Sequence, residues 1–190
     1  KGYVAVAPAL YHREGGNPIL TYGPEDVDTR AKYRENLDDD HFILDINTVV
    51  EWLNNNQRII GQKIGIMGFC LGGRVSYLAA SSCPGIDAAV VFYGGFIKES
   101  FGNGRTPFAR TADIQCPIMG NFGEDDQNPS VEVVREIESK LKENGKEYDF
   151  KIYSSAGHGF MADRPSFHEA SAIDAWNRTT GWFDKYIVNS

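Results

Sequence analysis

Apolar residues along this chain follow two rhythms. Short continuous runs come first: Tyr3-Val4-Ala5-Val6-Ala7-Pro8, Lys63-Ile64-Gly65-Ile66-Met67, Ala88-Ala89-Val90-Val91-Phe92-Tyr93 and Pro117-Ile118-Met119-Gly120-Asn121-Phe122. Runs of this length and makeup suit strands buried on both faces of a parallel sheet. Tyr148, Phe150 and Ile152 instead alternate with polar residues, as in a strand nearer a sheet edge. Between the runs the period becomes helical. Ile43, Ile46, Val50 and Leu53 share a face of a helix opened by Asp38-Asp39-Asp40, whose negative charge suits a helix N-terminus. A second helical stretch covers 74–80. Val134, Ile137 and Leu141 give a third its face, with Ser130 as N-cap and Asn144-Gly145 as its stop. Trp176, Thr179, Phe183 and Tyr186 mark one face of the last. Residues 11–24 and 96–113 read as irregular. Strands that alternate with helices predict an α/β fold, a mostly parallel sheet with helices on both faces, in one domain spanning 1–190. The opening Lys1-Gly2-Tyr3, directly before an apolar run, reads as the interior of a longer protein.

The most informative residues sit where the second run meets a helix. Gly68-Phe69-Cys70-Leu71-Gly72-Gly73 makes a strand, a sharp turn and a helix, with G-x-C-x-G-G at the turn. That is the context of a nucleophile elbow, with Cys where Ser is usual. A strained turn requires small residues two before and two after the nucleophile. Gly73 would let the new helix pack close to the sheet. The free N–H groups of the helix N-terminus favour a thiolate or an oxyanion at Cys70. On these six residues alone, a small buried Cys beside a glycine-marked turn is an equal reading.

Composition narrows the setting. The 190 residues carry a net charge of −7, which argues against nucleic acid and anionic membranes as partners. A small anionic substrate needs only a local Arg or Lys. Three cysteines at irregular spacing fit a reducing compartment, hence a cytoplasmic location, better than a disulfide scaffold. Cys83 and Cys116 sit at element ends and read as structural. No apolar run is long enough to cross a membrane as a helix. Neither H-E-x-x-H nor C-x-x-C occurs, so neither a metal nor another cofactor is expected. Monomer and homodimer are both left open.

Functional loops in such a sheet collect at the carboxyl ends of the strands. Three candidates fall there: Cys70, then Asp126 or Asp125 in Gly123-Glu124-Asp125-Asp126, then His158 in Gly157-His158-Gly159-Phe160. Taken singly, the acids read as a solvated loop and the His as an ordinary loop residue. Their order of nucleophile, acid and histidine is that of the α/β-hydrolases. A thiol needs a base in reach, and the base needs an orienting carboxylate. His12, His41 and His168 have no such context. The N–H of Leu71, next after the nucleophile, is the expected oxyanion donor. Tyr93 ends a strand beside the elbow, where it can fill core, line the pocket, or both.

With these segments, and with Gly2 to Tyr11 and Phe92-Tyr93-Gly94, the chain resembles the dienelactone hydrolase family, the Cys-nucleophile branch of the α/β-hydrolases. The resemblance covers essentially all 190 residues. It implies a three-layer α/β-hydrolase fold and hydrolysis of a small ester or lactone through a thioester acyl-enzyme. The family's spacing from Gly123 selects Asp126, with Asp125 as runner-up. The resemblance also implies further strands upstream, which would bring a second oxyanion N–H and a Glu against the resting thiol. The family's substrate-carboxylate Arg is not matched at its usual spacing after the His. Arg164 can serve that role, or pair with a neighbouring acid. Other readings are a general carboxylesterase or thioesterase of the same fold, and a non-catalytic, redox-responsive binding protein.

Overall fold

A computed structural model describes residues 2–15, 19–21, 23–59 and 62–189. Lys1, and positions 16–18 and 22 of the expected 11–24 loop, lie outside the described residues. The centre is a parallel sheet in the order β1 (Gly65–Phe69), β2 (Ala88–Phe92), β3 (Ile118–Gly123), β4 (Tyr148–Tyr153). Parallel neighbours need long crossovers, and helices supply them. The helices are α1 (Val27–Glu35), α2 (Asp39–Asn55), α3 (Leu71–Ser82), α4 (Val131–Glu143) and α5 (Glu169–Phe183).

Alternation along β2 separates two cores. Ala89 and Val91 join Phe42, Ile46 and Val50 of α2, Val75 and Leu78 of α3, and Val134, Ile137 and Leu141 of α4. Ala88, Val90 and Phe92 point the other way, to Met119, Tyr153, Phe160 and the α5 residues Ala175 and Trp182. Helices therefore cover both faces, as the apolar rhythm predicts. Among the described residues β4 pairs only with β3, and its positions alternate in exposure as the sequence pattern requires. Asp38 caps α2, accepting from the N–H groups of Asp40 (2.8 Å) and His41 (3.4 Å). Ser130 caps α4 through the N–H of Val133 at 3.4 Å. Among the described residues, no helix is long and apolar enough to cross a membrane.

Three expectations need correction. The run Tyr3 to Pro8 forms no ladder, and Val4 is 62% exposed. A doubly buried parallel strand needs partners along both edges and cover on both faces. Tyr3 instead meets the Phe183 ring (6.2 Å) and donates to Asp184 Oδ1 (3.1 Å). In α5 the inward face is Ala172, Ala175, Thr179 and Trp182, and the expected Phe183 and Tyr186 pack at its margin, while Trp176 is 43% exposed. Small residues at 172 and 175 let the helix approach the sheet, so the bulkier Trp176 turns out. On α2, Phe42 joins the buried row, and Ile43 and Leu53 lie at its half-buried margin. α1 buries no residue, and so it carries no apolar stripe by which the sequence would show it. The 96–113 stretch is mostly irregular, closed by a 3₁₀ turn at Phe108–Asp113.

One buried charge organises the ground behind the elbow. Arg74 (0% exposed) and Asp39 (1%) form a two-pronged ion pair, with Arg74 Nη2 donating to Asp39 Oδ2 at 2.9 Å and Nη1 paired to Oδ1. Arg74 also donates to the carbonyls of Phe96 (3.2 Å) and Glu99 (2.8 Å), and lies over the Phe101 ring at 3.9 Å. Helices α2 and α3 and the loop after β2 are thus fastened at one point. The Asp38-Asp39-Asp40 run therefore divides its work between a cap and a buried partner for Arg74.

Candidate active site

Cys70 is the single residue between β1 and α3, held at φ 55°, ψ −116°. A side chain in that region costs about 1–3 kcal/mol and persists only where its surroundings dictate it. Here its N–H donates to the Phe92 carbonyl (3.0 Å) and its carbonyl accepts from the Arg74 N–H (3.1 Å). The glycines around it do unequal work. A Cβ at Gly68 would lie 2.1 Å from the Gly72 carbonyl oxygen, and one at Gly73 would lie 2.6 Å from that of Phe92. A Cβ at Gly72 would meet nothing within 4 Å. The need for smallness thus falls two before and three after Cys70, because the turn lays the Gly72 carbonyl over Gly68 while the Cα of Gly72 faces open space. Gly72→Ala is expected to be neutral or to stabilise by up to about 1 kcal/mol, as Gly→Ala does in a helix. Gly68→Ala and Gly73→Ala are expected to lose about 3 kcal/mol or more through backbone overlap. Thermal unfolding of the three variants checks this order.

The loops after β3 and β4 are laced together. Glu124 N–H donates to the Tyr153 carbonyl (2.9 Å), and Asp125 N–H donates to that of Ala156 (2.9 Å). Gly123 makes room, since a Cβ there would fall 2.2 Å from the Ala156 oxygen. The lacing brings His158 Nδ1 to 2.8 Å from Asp126 Oδ2. Asp126 is buried at 3% exposure, and its Oδ1 accepts from the Asn128 N–H at 2.9 Å. Asp125 is exposed, so of the two acids Asp126 is the one facing the imidazole. Glu124 turns to Ser154, whose hydroxyl donates to it at 2.6 Å.

On its other side His158 meets the Cys70 thiol. Cys70 is exposed, yet the protein around its sulfur removes enough water that desolvation alone would raise its pKa. The hydrogen bond and charge of His158, the Leu71 N–H and the charge of Arg164 outweigh this, and the pKa falls below the ordinary thiol value. Burial likewise opposes the charged form of His158. Its bonds to Asp126 and Cys70 prevail, raising it from 6.5 to about 9. Both shifts run in the direction that favours the charged forms, thiolate and imidazolium. The other two cysteines behave oppositely: both are buried, and desolvation pushes each thiol up to about 12.

A pocket of about 270 Å³ opens over the sulfur, lined by Phe69, Cys70, Tyr93, Met161, Ala162 and Arg164. Tyr93 is 3% exposed with φ 38°, and its ring meets His158 at 5.1 Å and Phe160 at 5.3 Å. It therefore both fills core and walls the pocket. Arg164 packs over Gly159 (φ 78°), donating through Nε to Ser166 Oγ at 2.9 Å, and Ser166 Oγ donates to the Gly159 carbonyl at 3.1 Å. Phe69, Met161 and Ala162 join the lining beyond the residues that the sequence singles out. Each lies within three or four residues of a candidate in sequence, and that proximity was the signal. Among the described residues, no group of three or more His, Cys, Asp and Glu gathers to hold a metal ion.

Comparison with known proteins finds relatives along nearly the whole chain. The sequence profile of the dienelactone hydrolase family matches residues 1–187. A protein of Methylorubrum extorquens that carries the provisional name carboxymethylenebutenolidase is 33% identical over 189 residues, covering 98% of this chain and 64% of its own length. A protein of Escherichia coli K12 with the same provisional name is also 33% identical over 189 residues, covering 98% of this chain and 68% of its own. The chain thus spans about two thirds of the length of these relatives. A crystal structure from Klebsiella pneumoniae, provisionally named a dienelactone hydrolase, superposes with a TM-score of 0.79 at 30% identity, covering 93% of this chain and 73% of that one. The chain belongs to the dienelactone hydrolase family.

Proposed function

We propose that this protein hydrolyses a small ester or lactone through a Cys70-His158-Asp126 triad. The observation that carries the reading is an imidazole hydrogen-bonded to a buried carboxylate and set beside an exposed thiol that lines a pocket. The Cys70 thiolate attacks the substrate carbonyl carbon, and the carbonyl π electrons move to oxygen. The Leu71 N–H, at the N-terminus of α3, donates to that oxyanion. Collapse re-forms the carbonyl and breaks the bond to the leaving oxygen, which takes a proton from the His158 imidazolium. Neutral His158 then removes a proton from water as it attacks the thioester, and release of the acid restores the thiolate. Asp126 holds the imidazole in the productive tautomer throughout. For a lactone the freed hydroxyl stays on the acyl chain, so one water gives one product. A thiolate must stay reduced to work, which suits a cytoplasmic setting.

Arg164 lines the pocket and its charge already acts on the sulfur, so it suits the carboxylate of an anionic lactone. The test compares cis-dienelactone with p-nitrophenyl acetate in the full-length protein and in Arg164→Gln. The expected result is turnover of both, with KM for the dienelactone raised about tenfold in the variant, the worth of one charged hydrogen bond, and KM for the neutral ester unchanged. Turnover of the neutral ester alone would move the function to a general carboxylesterase. Failure of both substrates would remove support for hydrolysis and favour a redox-responsive binding protein.

A further inference from the structure

Two features meet at Asn128. Its backbone N–H donates to Asp126 Oδ1 at 2.9 Å, leaving Oδ2 for His158. Its side-chain Oδ1 accepts the Phe96 N–H at 3.1 Å. Only the amide oxygen can accept from an N–H, so this donor sets the orientation of the amide. Phe96 belongs to a tightly wound segment. Tyr93 stands at φ 38° and Phe96 at φ 56°, two side chains in the left-handed region within four positions. Such conformations persist only when held from outside. Arg74 Nε grips the carbonyl of the same Phe96 at 3.2 Å. Gly95 makes space for the amide, since a Cβ there would lie 2.9 Å from Asn128 Oδ1. At the far end of the segment, the Tyr93 ring packs on His158 at 5.1 Å.

We propose that Asn128 is a positioning residue for the reaction. It fastens the 93–96 segment to the loop carrying Asp126, so that the imidazole is held between the Tyr93 ring and the carboxylate. The proposal rests on the triad reading above. Without the fastening, both walls of the imidazole slot gain freedom together, and a misplacement of about 1 Å at a reacting group can cost about 100-fold in rate.

The test measures kcat, KM and the ultraviolet thiolate absorbance against pH in the full-length protein. Wild type, Asn128→Leu, Asn128→Asp, Gly95→Ala and Cys70→Ala are compared, the last supplying the baseline for the Cys70 signal. The groups that face Cys70, namely His158, Arg164 and the Leu71 N–H, are unchanged in the three positioning variants, as is Asp126 behind His158. Asn128→Leu keeps the size and the backbone N–H but loses the acceptor. It is expected to lower kcat about 10- to 100-fold with KM changed less than about threefold, and to move Cys70 ionisation to higher pH. Gly95→Ala is expected to change both readouts in the same direction by displacing the amide, and it carries the test if Asn128→Leu does not fold. Asn128→Asp retains an acceptor for Phe96 and is expected to stay within about threefold of wild type in kcat. A folded Asn128→Leu or Gly95→Ala with a lower melting temperature but unchanged kcat and Cys70 titration would overturn the proposal and leave Asn128 a purely structural residue. A wild type with no Cys70-dependent thiolate below the ordinary thiol range would overturn the triad reading, and the proposal with it.

Discussion

Cys70→Ala is expected to lower kcat for a good ester or lactone substrate by about 10⁴- to 10⁶-fold, the loss typical when the nucleophile of a cooperating triad is removed. Thermal stability should change little, because Cys70 is exposed and its backbone geometry is held by neighbouring hydrogen bonds. Wild-type kcat/KM against pH should be bell-shaped, and its limbs follow from the two shifted groups of the free enzyme. Protonation of Cys70 removes the nucleophile, so the acid limb should fall below the ordinary thiol range, where the Cys70 pKa lies. Loss of the imidazolium removes the proton donor for the leaving oxygen, so the alkaline limb should descend as pH rises through about 9. Alkylation by iodoacetamide should follow the acid limb alone, since it needs only the thiolate. Stopped-flow turnover and alkylation rates over one pH series check both limbs. An alkylation midpoint at or above that of a free thiol would contradict the lowered pKa.

Arg74→Leu is expected to cost about 3–5 kcal/mol of stability, among the largest effects of any single substitution here. The reason is the charge left behind. Asp39 is 1% exposed and would keep only the Phe101 N–H (3.1 Å) as a donor to its carboxylate among the partners described. The double variant Arg74→Leu/Asp39→Leu removes that stranded charge and should recover part of the loss. Recovery should be incomplete, because the Phe96 and Glu99 carbonyls still lose their Arg74 donors. Denaturant unfolding of wild type, both single variants and the double variant gives the coupling directly. Additive single-variant costs would contradict a buried pair. The same substitution frees one side of Phe96, so any activity left in Arg74→Leu should fall in the direction of Asn128→Leu.

What could be read from the chain without its fold was whatever depends on near neighbours. Strand and helix periods, the Ser130 cap, the acidic helix start at 38–40 and the strand–turn–helix at Cys70 are written within a few residues each. Backbone sterics and local hydrogen bonds act over that range, so Gly68 and Gly73 could be understood from the turn they flank. The order of Cys70, Asp126 and His158 was legible too, because a parallel sheet delivers successive loops to one edge.

Tertiary structure decided whatever depends on partners far along the chain. Asp39 and Arg74 are 35 positions apart, and no local pattern links a helix-opening acid to a buried guanidinium. Asp126 differs from Asp125 by one residue, and the lacing of two loops determines which carboxylate turns to His158. The apolar run from Tyr3 has the composition of a buried strand, yet a strand exists only where another edge completes its hydrogen bonds, and none pairs with it among the described residues. Trp176 outweighs Ala172 and Ala175 in hydrophobicity but not in fit, because close approach of a helix to a sheet rewards small side chains. Composition thus settled which segments could be buried, and packing geometry settled which of them were.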